Sequence, residues 1–178
     1  MANILKISRI GHPVLREIAK EVDPELIGTP DFQRFLVEMV ETMREYNGVG
    51  LAAPQVHVPL QVAVLEVKTY NERYGKTEEI VPLTFMINPQ LAGTSGGQVL
   101  DWEGCLSVPG LRGEVPRWER ITVKYLDREG SPQTLEAEGF HARVIQHEWD
   151  HLQGMVYLDR MKDMRSLSFN EEFSRYQL

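Results

Sequence analysis

The sequence predicts an α+β fold in which short, mostly antiparallel strands pack around a central helix carrying His-Glu-Trp-Asp-His. Three observations point to it. Residues 30–47 repeat apolar side chains at helical spacing, several later segments alternate or run apolar over strand length, and residues 139–154 carry no internal glycine or proline before Gly154.

The elements follow in chain order. Thr29 is placed to cap the first long helix, Pro30 suits its first turn, and Phe32, Phe35, Leu36, Met39, Val40 and Met43 share one face until Gly48 stops it. "QVAVLEV", 61–67, is β-branched and apolar enough for a buried strand, and "FMINP", 85–89, reads as a short strand stopped by its proline. Residues 120–138 form two alternating runs joined by a turn at Asp127 to Gly130, a hairpin pattern. In "GFHARVIQHEWDHLQG", Ile145, Trp149 and Leu152 share one helical face and Val144, His147 and His151 another, so both sides of this helix meet protein. Ser168 and Glu171 match a capping box and are expected to open a short last helix.

At 178 residues the length suits one domain, 1–178, with a short C-terminal extension or helix from about residue 166. Hydrophobic and charged fractions of 42% and 25% are those of a globular protein rather than a disordered one. No apolar run approaches the roughly 20 residues of a membrane-spanning helix. The amino terminus lacks the pattern of a secretory signal, and a single cysteine agrees with a reducing compartment, so a cytoplasmic location is expected. A formal net charge of −7 argues against a phosphate-binding surface, and neither direct nucleic-acid binding nor membrane association is expected. There is no internal repeat.

The single cysteine lies in "WEGCLSVPG", 102–110, in a glycine-marked segment rather than an apolar stripe. Alone it forms no intramolecular disulfide, which leaves a small buried hydrophobe, a nucleophile or a metal ligand. "HEWDH", 147–151, sets two imidazoles four residues apart, one above the other on a helix and able to grip one ion. Glu148 points about 100° further round, too far to join those ligands easily but within reach of a coordinated water, the place of a general base. A catalytic centre of this type takes three protein ligands and leaves a position for water. No histidine follows His151, and His12, His57 and His141 have no partner spacing. Glu171 or Glu172 could serve as the third ligand, and so could Cys105, which is flanked by Gly104 and whose thiolate suits a borderline cation.

Three segments, "GVGLAAPQ" (48–55), "EGCLS" (103–107) and "QHEWDHLQG" (146–154), resemble the signature motifs of the peptide deformylases in their expected order, and the likeness extends from about Ile4 to Arg165. The resemblance implies a metallohydrolase that removes the N-formyl group from the initiator methionine of new polypeptides, releasing formate. It makes Cys105, His147 and His151 the ligands and Glu148 the acid/base. It also gives Gln55 and the backbone N–H of Leu106 as donors to the formyl oxygen. Such donors stabilise the charge that develops there, and the cation acidifies its bound water. One divalent ion per chain is implied, Fe²⁺ as the native metal, with Zn²⁺, Ni²⁺ or Co²⁺ also suited to these ligands.

N-formylmethionyl peptides are the expected partners, pairing their main chain with Val49 and Gly50. Val49 and Val144 are candidates for the methionine pocket, with Phe140 as a wall and Arg112 facing the peptide backbone. Glu103 and Arg117 are expected to form an ion pair that holds the cysteine loop. Asp150 either orients an imidazole or pairs with a neighbouring strand. Arg143 sits next to Val144 where some members of the family carry an apolar residue, and it is expected to extend its charge outward. A ribosome contact is a further expectation of the family. The rival reading is a metalloendopeptidase that uses the same helix with Glu171 or Glu172 as third ligand, and a third is a module in which the metal only holds the fold.

Overall fold

A computed structural model describes residues 2–71, 75–76 and 79–176. In chain order the elements are α1 (Pro24–Ile27), α2 (Pro30–Glu45), β1 (Gly50–Ala52), β2 (Val62–Val67), β3 (Tyr70–Asn71), β4 (Gly75–Lys76), β5 (Val81–Cys105), β6 (Val108–Leu126), β7 (Pro132–Glu138), α3 (Gly139–Leu152), β8 (Ser168–Phe169) and α4 (Asn170–Tyr176). Short 3₁₀ turns at Pro13–Arg16, Ala53–Val56, Tyr157–Arg160 and Met164–Ser166 link them.

α2 starts where its sequence directs. The Thr29 hydroxyl accepts the Phe32 N–H at 3.4 Å, and Pro30 fills a first-turn position whose missing N–H costs nothing. It ends at Glu45, and Asn47, whose φ of 54° is left-handed, turns the chain off the helical path just before Gly48. The buried stripe Phe32, Leu36, Met39, Val40 and Met43 rests on Val62, Val64, Phe85 and Ile87 of the sheet.

Strand order is β1-β2-β5-β6-β7, every pair antiparallel, with β8 added to β6; β3 and β4 pair separately. Alternation along β2 sends Val62 and Val64 toward α2, and Leu65 and Val67 toward the other face. There they meet Met86, Ile121 and Val123 together with Ala142, Val144 and Ile145 of α3. A strand covered on both faces needs apolar side chains at nearly every position, which is why "VAVLEV" does not alternate. α3 is therefore central, packed against β1, β2, β6 and β7.

Two local expectations are corrected. Pro89 does not end its strand: β5 passes through it because the β5–β6 register shifts between Ile87 and Gln90, leaving no ladder bond for the missing N–H to break. Asn88 stands at the shift with φ 52°, and its side chain takes the Val22 N–H at 2.8 Å and gives to the Val22 carbonyl at 2.9 Å. β5 and β6 thus become one long hairpin that ends at Cys105. The Ser168–Glu171 capping box does not form, because Ser168 is drawn into β8 opposite Arg112 and α4 begins at Asn170.

α3 opens on a cap from far away in the chain, since the His141 N–H donates to Glu79 at 2.9 Å. It closes at Gly154, φ 72°, where any Cβ would stand 2.8 Å from the Arg16 carbonyl oxygen. Only glycine lets the amino-terminal segment pass that close, and it runs on to donate Ala19 N–H to the Leu152 carbonyl at 2.9 Å.

Candidate active site

Three unconnected pieces of chain converge on one point. α3 carries His147 and His151, the end of β5 delivers Cys105, and the 3₁₀ turn at Ala53–Val56 delivers Gln55. One ligand atom each from Cys105, His147 and His151 lies within 4.8 Å of the other two, and the sulfur is 3.3 Å from His151 Nε2. Glu171 and Glu172 sit on α4, exposed, with Glu172 facing Arg175 at 3.5 Å.

The donor set suits a borderline divalent cation: one thiolate and two imidazoles on three fixed elements. Burial by itself would push the Cys105 thiol up, but the charge of His151 and hydrogen bonds from His147 and His151 hold it well below its ordinary value. Burial would in turn lower His147, and the hydrogen bonds to Cys105 and Glu103 raise it well above the usual imidazole range. A cation held by these three residues would keep the thiolate and displace the protons of the imidazoles.

His147 is oriented from behind, because Glu103 meets its Nδ1 at 2.9 Å and leaves Nε2 for the centre. Glu103 is itself clamped. Arg117 binds both its oxygens, at 2.8 and 3.0 Å, and Arg143 adds a third bond at 2.8 Å. Burial would raise the Glu103 carboxyl, yet Arg117 and His147 hold it far below the carboxylate range. Arg117 also reaches Asp150 at 2.5 Å, and Arg160 reaches the same carboxylate at 2.7 Å. Asp150 thus pairs with the β6 strand and does not orient an imidazole.

Arg143 does not turn outward. It is buried and gives hydrogen bonds to the carbonyls of Val115 at 2.8 Å and Val99 at 2.7 Å, because the long hairpin crosses α3 there and offers main-chain acceptors. Its spacing of one helical turn before His147 could have suggested that the two share the Glu103 carboxylate. Arg160 was also missed, and nothing local in the sequence marks it; Trp102 and Ser107 lie within the glycine-marked 102–110 segment but carried no role of their own.

Glu148 is buried, and its Oε2 has no hydrogen-bond partner among the described residues. Desolvation lifts its carboxyl to about 7, with the two imidazoles opposing the rise and Cys105 and Glu103 adding to it. A Cβ on Gly50 would stand 2.3 Å from Glu148 Oε1, so the absence of a side chain at position 50 admits the carboxylate. Gln55 is pinned by the Ala52 N–H, 2.8 Å from its Oε1, which turns its Nε2 to Cys105 Sγ at 3.4 Å and Ser107 Oγ at 3.3 Å.

A cleft opens on this cluster, walled by Gly48, Val49 and Gly50 on one side, Trp102 to Leu106 on another, and Phe140, Val144, His147 and Glu148 on a third. Val49, Gly50, Val144, Phe140 and Leu106 therefore share one cavity. Arg112 lies apart from it on β6, bonded to Asn170 at 2.9 Å.

With this geometry in view, the comparisons with known proteins are specific. The chain is 44% identical over 168 residues to "Peptide deformylase 2" of Pseudomonas putida, covering 94% of this chain and 93% of that one. It is 42% identical over 169 residues to a peptide deformylase of Leptospira biflexa, covering 95% and 94%. Among solved structures, a class I type b peptide deformylase of Acinetobacter baumannii with Met-Ala-Ser bound superposes with a TM-score of 0.85 at 36% identity, covering 90% of this chain and all of that one. A peptide deformylase of Synechococcus elongatus in complex with actinonin gives 0.82 at 35% identity, over 100% of this chain and 89% of that one. Residues 4–166 match the family model described as polypeptide deformylase, and the chain belongs to that family.

Proposed function

We propose that this protein hydrolyses the N-formyl group of peptides that begin with formylmethionine, releasing formate and a free amino terminus. In this reading Cys105, His147 and His151 hold one divalent ion, Fe²⁺ in its native form. The observation that carries it is the meeting of those ligand atoms with the enclosed, unpartnered carboxylate oxygen of Glu148.

When bound, such an ion supplies an acidified water and a Lewis acid for the formyl oxygen. The chain's own residues do the rest. Glu148, with its carboxyl near 7, takes a proton at neutral pH and returns it to the nitrogen that leaves the formyl carbon. Gln55 Nε2 exchanges one of its present contacts, Cys105 Sγ or Ser107 Oγ, for the formyl oxygen, and the Leu106 N–H donates to that oxygen as well. Gly50 and Val49 pair with the peptide main chain, so most side chains of the substrate go unread. Val144, Val49 and Phe140 receive the methionine side chain, an apolar fit for an unbranched thioether. Arg143 and Arg117 hold Glu103, and through it the ring of His147, so that the ligand does not rotate when substrate enters. Arg112, bonded to Asn170 outside the cleft lining, is assigned no contact with the peptide.

The substrate implies a setting, the cytoplasm or an equivalent compartment where formylated chains emerge from a ribosome. No described helix is long and apolar enough to cross a membrane. The rival endopeptidase reading is not favoured, since Glu171 and Glu172 stand exposed on α4 while Cys105 lies among the imidazoles.

Glu148→Gln is the direct test. The amide keeps the shape and removes the proton acceptor, so formate release is expected to fall about 10²- to 10⁴-fold while metal content stays at one ion per chain. Unchanged formate release from that variant would retire Glu148 as the acid/base.

A further inference from the structure

Residues 8–10 belong to no helix or strand, yet they bond to both turns that carry the donors proposed for the formyl oxygen. One is the 3₁₀ turn at Ala53–Val56, which holds Gln55, and the other is the pair Leu106 and Ser107, which joins β5 to β6. The Ser8 N–H donates to the Gln55 carbonyl at 2.8 Å, and the Ser8 hydroxyl donates to the Pro54 carbonyl at 3.0 Å. Two residues on, the Ile10 N–H donates to the Ser107 carbonyl at 2.8 Å. Ser8 is 1% exposed, although Arg9, Ile10 and Gly11 beside it lie open, so water does not compete for its bonds.

The segment is itself tied at both ends. Before it, the Leu5 N–H donates to the Thr42 hydroxyl of α2 at 2.8 Å; after it, the Ala19 N–H reaches the Leu152 carbonyl of α3 at 2.9 Å. No residue from 5 to 19 lines the cleft, so a bound peptide leaves these bonds alone. The side-chain links between the two turns are of another kind. They run from Gln55 Nε2, at 3.4 Å to Cys105 Sγ and 3.3 Å to Ser107 Oγ, and one of them is exchanged when the formyl oxygen arrives. The bonds from Ser8 and Ile10 are shorter and persist. Donors to a developing oxyanion act through a geometry set in advance, and a misplacement of about 1 Å can cost about 10²-fold in rate.

We infer that residues 8–10 are a strap that fixes the separation of the two formyl-oxygen donors, Ser8 by holding the Gln55 turn and Ile10 by holding the turn from which the Leu106 N–H projects. This rests on the deformylase reading. Ser8 and Ile10 are positioning residues: neither touches the substrate, and each acts through the turn it holds.

The experiment measures formate release from formyl-Met-Ala-Ser by the metal-loaded full chain. Ser8→Ala removes the hydroxyl bond to Pro54, and kcat is expected to fall about fivefold while KM and metal content stay near wild type. Ile10→Pro deletes the N–H that holds Ser107 and is expected to lower kcat about 20-fold. The deciding readout is a double-mutant cycle. Gln55→Ala alone is expected to cost about 10²-fold in kcat, and adding Ser8→Ala to it should cost nothing more, because the amide that Ser8 aims is gone. A serine that only supports the fold would lower kcat by the same factor in both backgrounds. Should Ile10→Pro fail to fold, the Ser8 cycle decides alone. An unchanged kcat in Ser8→Ala, or an equal loss with and without the Gln55 amide, overturns the strap and leaves the deformylase reading standing. A metal-loaded wild type that releases no formate overturns that reading and the strap with it.

Discussion

Beneath α2 the interior is hydrocarbon, with Leu36, Met39 and Met43 enclosed against Val62, Val64 and Ile87. Beneath the ligand-bearing end of α3 it is ionic, with Glu103, Arg117, Arg143 and Asp150 all buried. The two regions answer different demands. Apolar packing stabilises the fold but sets no direction, and a rotamer change or a volume-conserving swap costs it little. A buried ionic cluster gains little net stability, since desolvation offsets most of its Coulomb attraction, yet it fixes directions closely because each bond has its own geometry. As a ligand in the proposed site, His147 would need direction more than stability, and the charges gather where that ring is aimed. That contrast can be broken from either side.

The largest effect is expected at the centre the ionic region serves. Cys105→Ala removes the only sulfur ligand, and the protein should lose bound metal, read by elemental analysis after anaerobic purification, together with all measurable formate release. Retention of metal at wild-type occupancy would return Glu171 or Glu172 to consideration. The same analysis of the wild type is expected to find iron.

Next come two substitutions matched in their cost to folding. Arg117→Met strips Glu103 of a two-bond partner and Asp150 of one of its two arginines. Breaking a buried pair from one side costs about 3–5 kcal/mol, and loosening the group behind a ligand typically weakens metal binding 10- to 100-fold. Met39→Ala opens a cavity under α2 at a similar cost, about 2–5 kcal/mol. Both variants should therefore melt earlier, but only Arg117→Met should lose metal affinity in a chelator competition. Equal losses of metal affinity would mean that the ionic region is ordinary scaffold.

The same contrast decides what could be read from the sequence. α2 was legible because one face of a helix buries at a fixed period, and the β2 run because a strand covered on both sides has no polar positions to spare. His147 and His151 were legible because helical spacing alone brings them together. Cys105 was one candidate among several until the three-motif resemblance singled it out. Arg143 was misjudged, since its acceptors are carbonyls at Val99 and Val115 that only the folded hairpin brings over α3. Pro89 misled for a similar reason, because the bulge that spares the strand is held by the pair of bonds between the Asn88 side chain and the Val22 backbone, far back in the chain. The start of α4 at Asn170 likewise depends on β8 pairing, which overrode a local capping pattern. Periodic burial is written locally, while charges and bulges are satisfied by whatever the tertiary fold supplies.

The smallest effect sharpens the comparison with an ion pair that lies near the surface. Arg44 on α2 binds Glu66 of β2 through Nε at 2.9 Å and Nη2 at 3.0 Å, and its side chain is 38% exposed. The hydrogen bond from Arg44 holds the Glu66 carboxyl below its ordinary value of 4.5. A carboxylate depressed by folding adds stability above its unfolded pKa and loses it as the pH falls through its folded value. With the arginine this open to solvent, the pair is worth no more than about 1 kcal/mol at pH 7. Urea denaturation of the wild type and Arg44→Ala, run side by side so that acid effects elsewhere are common to both, should show that small gap at pH 7. It should close as the pH is taken well below the ordinary carboxylate range. Glu103, held far lower by Arg117, should still be ionised at a pH where Glu66 has taken up its proton. The gap between wild type and Arg117→Met should thus outlast the gap for Arg44→Ala on descending pH. If both gaps closed over the same pH interval, the buried cluster would hold its carboxylate no more firmly than a surface pair does.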